Sequence, residues 1–403
     1  MQTVRIRQIL IIAGIVSLFI SYLGIWIRLI NDPAERTGSD FIAFYSAGRV
    51  AQNEGAANVY NPQLLQEIQQ GEVGFPLVPG QVLLYNHLPF LIPLLQIIVS
   101  ASYVGSFYRW IFLLIAIYIA AITILSGALK QAGIDRNSIV LTAIGAFLFL
   151  PVFFSLMNGQ DTALLFLGTA IWMYGLLSGK ETLAGLGLSL TTVRPQIALF
   201  LAIPMLFRYI KVFWSFLVGS GFLAILSVLI LGINGTREYI NILLLSSGGE
   251  WYGMKENAMY NLIGLLTRAA PQVEASVIRT FAWSVYGIAI IGLCILWSKK
   301  QNSTEDLIGL TVTLALFVAP HLHLHDLALL LIPIYGVIRA SRETPNLKTL
   351  TAIILPIAIS LLFLISNISP YLQYTVPYLM MLMLAVFPFY QKSKILATTA
   401  HQS

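Results

Sequence analysis

The chain has 403 residues, of which 58% are hydrophobic and only 10% charged, with a mean hydropathy of +0.82. Soluble globular chains carry about 25% charged residues, so a soluble enzyme and a disordered chain are both excluded. A net charge of +6, spread over loops between long apolar runs, excludes a nucleic-acid binder as well. The natural solvent is a lipid bilayer.

Arg5 and Arg7 precede a nearly uncharged stretch from Gln8 to Ile27. Its length of about 20 residues suits a retained spanning helix rather than a cleaved signal, with Trp26 and Arg28 at its far end. Next comes the polar segment 31–80, in which Asp32, Glu35, Asp40, Glu54, Glu67 and Glu72 face only Arg36 and Arg49. That acidic balance predicts an external loop. Within it, Phe41, Phe44, Tyr45 and Gly48 recur at helical spacing, which predicts an amphipathic helix on the membrane surface over 40–51, capped by Ser39 or Asp40. Asn61-Pro62 predicts the start of a second short helix ending at Gly71.

Further apolar runs cover about 109–127, 139–157, 161–178, 183–206, 213–233, 281–298, 307–319, 327–338, 349–368 and 371–390, with a shorter one at 82–100. The lone Cys294 lies in one of them, which excludes a disulfide framework and a cysteine-based zinc site. The cations Arg208/Lys211, Lys299/Lys300, Arg339/Arg342/Lys348 and Lys392/Lys394 belong inside with Arg5 and Arg7, by the positive-inside rule. Segment 234–279, with four acids and four bases, falls outside by alternation. Two topologies remain. Either 82–100 is re-entrant and 183–206 makes two short passes broken at Arg194-Pro195, placing Lys130, Arg136 and Lys180 inside, or 82–100 crosses and those cations lie outside. Cation counting favours the first. Both predict an all-α polytopic bundle, a single integral membrane domain over 1–403, of about twelve crossings with both termini cytoplasmic.

Ionisable groups beside apolar runs are costly and are the first candidates for function. Asp40 is either a helix cap or a general base at the membrane boundary. Arg194, where Pro195 interrupts the helix, either binds phosphate or snorkels to an interface or pairs internally. His321, His323, His325 and Asp326 share one turn; a polar hairpin, a zinc shell and a phosphate site all fit, and no HExxH motif supports the zinc. Asn158-Gly159-Gln160-Asp161 reads as a tight turn. In 248–261, Glu250, Trp251, Tyr252, Lys255, Asn257 and Asn261 suit either sugar contacts or interface anchoring.

Taken in order, SDFIAFYSAGRVAQNEGAANVYNP, LYNHLPFLIPLL, NGQDTALLFLG, VRPQIALFLAIP and HLHLHDLALLLIP resemble the motifs of glycosyltransferase family 87 along roughly 40–335. The resemblance implies a GT-C fold with one catalytic carboxylate on an external loop and a polyprenyl-phosphate sugar, commonly mannose, as donor. Carried over by position, Asp40 is the base, and Arg194, standing where the family has Lys, binds the donor phosphate with His325 and Asp326. Tyr45, Tyr60, Tyr85, Gln160, Gln196, His323, Asn257 and Asn261 are the candidate substrate contacts. Asn86-His87 departs from the family's usual consecutive prolines. No DxD occurs at Asp40, so no metal or other cofactor is expected, and a single displacement predicts inversion. The expected partners are the lipid-linked donor, a lipid or glycan acceptor on the extracytoplasmic side, and membrane lipids. The competing reading is a transporter or flippase of a lipid-linked saccharide, with Asp40 as a cap or gate.

Overall fold

The computed structural model describes residues 2–31, 40–247 and 255–340, with 356–357, 360–361, 364, 375 and 377–385 beyond them. Ser39, Glu250, Trp251, Tyr252, the cations beyond Arg339 and most of the two C-terminal apolar runs lie outside the described residues. The described residues are helical, with no strand among them.

Helix α1 (Gln2–Asn31) leads to α2 (Phe41–Asn53), α3 (Pro62–Val73) and α4 (Ile92–Ile98). Long α5 (Tyr103–Gln131) follows, then α6 (Arg136–Phe147) and α7 (Leu150–Asn158), bent by 46° where Pro151 opens the second helix. The centre holds α8 (Thr162–Leu177), α9 (Glu181–Leu190), α10 (Pro195–Ala202) and α11 (Ile210–Ser247). After these come α12 (Leu262–Ala269), α13 (Ala275–Ser298), α14 (Thr304–Val318) and α15 (Leu331–Ala340). Among the described residues, four helices are long and apolar enough to cross a membrane, or five if the bent α6–α7 pair is one span. Their outer faces stay apolar: Leu229 is 75% exposed on α11 and Ile288 68% on α13. Such faces are stable only against lipid. The chain is a membrane protein.

Local chemistry sets the breaks. The Asn61 side chain accepts from the backbone N–H groups of Gln63 and Leu64 with Pro62 at the first turn, as expected, but α3 runs past Gly71 and closes at Gly74, whose φ of 77° supplies the left-handed cap. Helix α11 does not stop at the end of its apolar run. It breaks at Gly232 (φ 65°) and resumes to Ser247, because INILLL carries a further apolar stretch into the segment read as loop. The run 183–206 is interrupted at Arg194-Pro195, as the proline requires. Over 82–100 the only helices are the short turn Pro89–Leu91 and α4, about 15 Å at 1.5 Å per residue, too short to cross.

One expectation is corrected. Helix α2 is not an amphipathic surface helix: all of Phe41–Gly48, with Val50 and Ala51, is buried. It is packed into the bundle, and Gly48 shows how tightly. A Cβ there would lie 2.7 Å from Val99 Cγ2 and 3.1 Å from Leu95 O. The aromatic spacing that suggested a lipid-facing stripe instead meets Tyr103, Phe107, Tyr85 and Trp110.

Contacts sort the helix ends into two groups. At one end, the rings of Phe41 and Tyr103 meet at 5.4 Å, Trp110 donates to Gly159 O, Tyr260 N–H donates to Leu322 O and Gln196 donates to His321 O. At the other, Arg208 donates to Asn302 O, Tyr209 pairs with Thr304, Gln131 with Tyr174 and Ser178, and Arg339 with Glu305 and Ala128 O. Helices α9 and α10 therefore form an up-and-down pair whose tip is Arg194. Lys130, Arg136, Lys180, Arg208, Lys299 and Arg339 all fall at the second end.

Candidate active site

At the first end, a cavity of about 480 Å³ is lined by Asp40, Asn86, His87, Asn158, Gln160, Arg194, Gln196, His321, His323 and His325, with apolar groups including Phe154, Leu243 and Tyr260. That size lies within the ~300–1,000 Å³ of small-molecule sites. Seven stretches of chain meet here: the start of α2, the loop before α4, the α7–α8 turn, the α9–α10 tip, the end of α11, the loop before α12 and the turn after α14.

The α7–α8 turn is fixed by Gly159. Its φ of 72° suits glycine, and a Cβ would sit 2.8 Å from Phe41 Cβ. That contact seats the turn against α2, so that Gln160 reaches Asp40. Asp40 precedes α2 but makes no side-chain cap bond. Instead its Oδ2 accepts from Gln160 Nε2. Gln160 Oε1 in turn accepts from Arg194 Nη2 at 3.3 Å. Both partners settle the amide's orientation, since a guanidinium only donates and a carboxylate only accepts. The other oxygen of Asp40 has no hydrogen-bond partner among the described residues, and the residue is half-buried.

Behind the wall runs a chain of charges. His87 Nδ1 lies 2.9 Å from Asp161 Oδ2, Asp161 Oδ1 lies 3.0 Å from Arg194 Nη1, Arg194 Nε lies 3.5 Å from Asp326 Oδ1, and His325 Nε2 lies 3.6 Å from Asp326 Oδ2. Both carboxylates are fully buried. Asp326 also accepts from Thr162 Oγ1 at 3.1 Å and from the backbone N–H of His323 at 3.2 Å. Burial alone raises the Asp326 carboxyl, but His325 and Arg194 hold it below the ordinary carboxylate range. Arg194 is thus engaged by two acids and does not offer a free fork to an anion.

The three histidines after α14 line the cavity together, with ring centroids 4.7 and 5.8 Å apart in sequence order. Burial, then the adjacent His325, lowers His323 to about 4, and burial, then His323, puts His321 well below its usual range. Near neutral pH these two rings are uncharged hydrogen-bonding groups rather than cations. Among the described residues, no three His, Cys, Asp or Glu side chains gather in a metal-holding arrangement.

The structure brings Asp40, Gln160, Arg194, Gln196, His323 and His325 to one cavity, with Asp326 just behind it. It places other candidates elsewhere. Tyr45 donates to Glu72 Oε1 at 2.8 Å, away from the lining. Tyr60 donates to His87 O at 2.7 Å, and Tyr85 packs beside the His87 ring at 5.4 Å, so both back the wall. Asn261 caps α12, accepting from Gly264 N–H and donating to Ala319 O. Asn257 is outside the lining, though its neighbours Ala258 and Tyr260 are in it. His87 was missed as a site residue, and Asp161, an acid beside an apolar run, reads in the sequence as part of a tight turn rather than of the site.

A membrane-embedded bundle with an unsatisfied carboxylate oxygen in a polar cavity is the frame of an enzyme acting at a lipid boundary. The sequence model of glycosyltransferase family 87 matches residues 87–320, more than half of the chain, and the protein belongs to that family. It is a membrane glycosyltransferase. The matched range includes His87, Gln160, Asp161 and Arg194, and stops before Asp40 on one side and His321 on the other. No curated protein matches the chain, and no solved structure does.

Proposed function

We propose that the protein transfers a hexose, mannose in the first instance, from a polyprenyl-phosphate sugar to a lipid or glycan acceptor of the cell envelope, with Asp40 as the general base. The observation that carries this reading is Asp40 itself, held through one oxygen by Gln160 and open at the other on the cavity wall. The acceptor hydroxyl attacks the anomeric carbon as the bond from that carbon to the phosphate oxygen breaks. The hydroxyl proton passes to Asp40 and the electron pair leaves on the polyprenyl phosphate. A phosphate leaves as a stable anion and needs dipolar or cationic support more than a proton. The one N–H left on Arg194 Nη2 and the imidazole of His325 supply that support, and Gln196 and His323 bind substrate hydroxyls. No step in this scheme calls for a metal. One displacement inverts the anomeric centre.

The cations gathered at the second end of the bundle make that end cytoplasmic by the positive-inside rule, so the cavity faces the extracytoplasmic side and both termini the cytoplasm. The α9–α10 pair then counts as two short crossings and 82–100 as re-entrant. With the C-terminal runs this gives about twelve crossings, the GT-C arrangement. The test is Asp40→Asn in detergent-solubilised protein supplied with polyprenyl-phosphate mannose and an envelope lipid extract. Transfer is lost while donor binding persists. An Asp40→Asn protein that retains transfer overturns Asp40 as the base, and one that, reconstituted in vesicles, still moves a lipid-linked saccharide without transferring it favours a flippase.

A further inference from the structure

His87 has one ring nitrogen engaged and one open. Asp161, paired with Arg194, is an ionised acceptor, so the His87 nitrogen at 2.9 Å from it must be the protonated one. In the neutral ring that leaves Nε2 with its lone pair. Among the described residues nothing bonds to Nε2, and it is not among the buried polar atoms left without a partner, while the ring lines the cavity beside Asn86. A histidine serving only to stitch the fold would spend both nitrogens inside the protein.

The ring is also held rigidly. Phe44 lies 4.2 Å from it and Tyr85 5.4 Å, both centroid to centroid, and Tyr60 donates to its backbone carbonyl at 2.7 Å. The side chain is 7% exposed. A fixed acceptor with a carboxylate behind it repels an anion and suits a neutral donor group, of which a sugar offers several. His87 shares Asp161 with Arg194, so the hydroxyls nearest to it are those of the sugar whose phosphate lies by Arg194.

The geometry points to His87 as a specificity residue: its Nε2 accepts a hydrogen bond from one hydroxyl of the sugar being transferred, with Asp161 as the positioning residue that fixes its tautomer. This rests on the donor proposed above. It is tested by binding, which needs no acceptor. Affinities of purified protein in detergent are measured for polyprenyl-phosphate mannose and its monodeoxy analogues, for the wild type and for His87→Asn. The asparagine amide can still donate toward Asp161 but lacks the acceptor at the Nε2 position, and its thermal midpoint serves as the folding control.

The wild type binds one deoxy analogue about 5- to 30-fold more weakly than the parent, the worth of one hydrogen bond. In His87→Asn that difference collapses to about twofold or less. If the wild type binds the donor but discriminates against no deoxy analogue, the inference fails whatever the fate of the variant. It fails equally if a folded His87→Asn keeps the full discrimination, and the transferase reading then stands. If neither wild type nor Asp40→Asn binds polyprenyl-phosphate mannose, the donor assignment falls and takes this inference with it.

Discussion

The two ends of the bundle each hold a paired arginine, half-buried at Arg339 and buried at Arg194, and they use it differently. Arg339 is clipped to Glu305 at 2.6 Å and to Ala128 O at 2.8 Å, joining the far ends of α15, α14 and α5. Arg194 lies between two fully buried acids that hold histidines on the cavity wall, and through Gln160 it steers Asp40. The first arrangement ties three helices together. The second leaves an oxygen of Asp40 and a nitrogen of His87 open. A costly buried charge therefore marks function where the network it belongs to ends in unspent atoms.

The sharpest way to break that comparison is Asp40→Asn, for which transfer falls by about 100- to 10,000-fold, the usual worth of a general base, with thermal stability unchanged. A comparable loss of activity in Arg339→Ala with stability intact would erase the distinction between the ends. Removing Arg194 comes next. Arg194→Ala takes the guanidinium from between the buried Asp161 and Asp326, which keep only their histidine, hydroxyl and backbone partners, and costs about 3–5 kcal/mol of stability. Arg339→Ala, whose partner Glu305 is 25% exposed, costs on the order of 1 kcal/mol. Thermal unfolding of both variants in one detergent checks the order, and equal losses would contradict it.

Gly159→Ala tests the seat of Gln160 without touching a charge. A positive φ together with the approach to Phe41 predicts about 1–3 kcal/mol of destabilisation and a drop in transfer; transfer at the wild-type level would show that the turn does not position Asp40.

The smallest effect is the pH response. His323 titrates near 6.5 when unfolded and is lowered to about 4 in the fold. Between those values the unfolded chain takes up a proton that the folded chain refuses, so stability declines as pH falls through that window and the loss levels off below it. His323→Gln flattens the thermal midpoint against pH over that range, and parallel curves for variant and wild type would refute the assignment.

Much of this was legible in the sequence, for identifiable reasons. The Asn61-Pro62 start and the break at Arg194-Pro195 follow from local rules of capping and proline. The polar turns announced themselves because charge beside apolar chain is rare. Burial of α2 was not legible from the aromatic spacing, which looks the same against lipid as against protein. Its small residues Ala43, Ala47, Gly48 and Ala51 were the better indication, since they allow close approach. The His87–Asp161 contact joins residues 74 apart, and no local pattern encodes it. Nor could sequence show that Arg194 is already paired, because a guanidinium at a helix break reads the same whether its partner is a phosphate or an aspartate.

The most direct measurement is a structure of the Asp40→Asn protein with polyprenyl-phosphate mannose bound. The sugar is expected in the cavity, its anomeric carbon beside residue 40 and a hydroxyl within hydrogen-bond reach of His87 Nε2. A donor seated on a lipid-facing helix with this cavity empty would contradict the account.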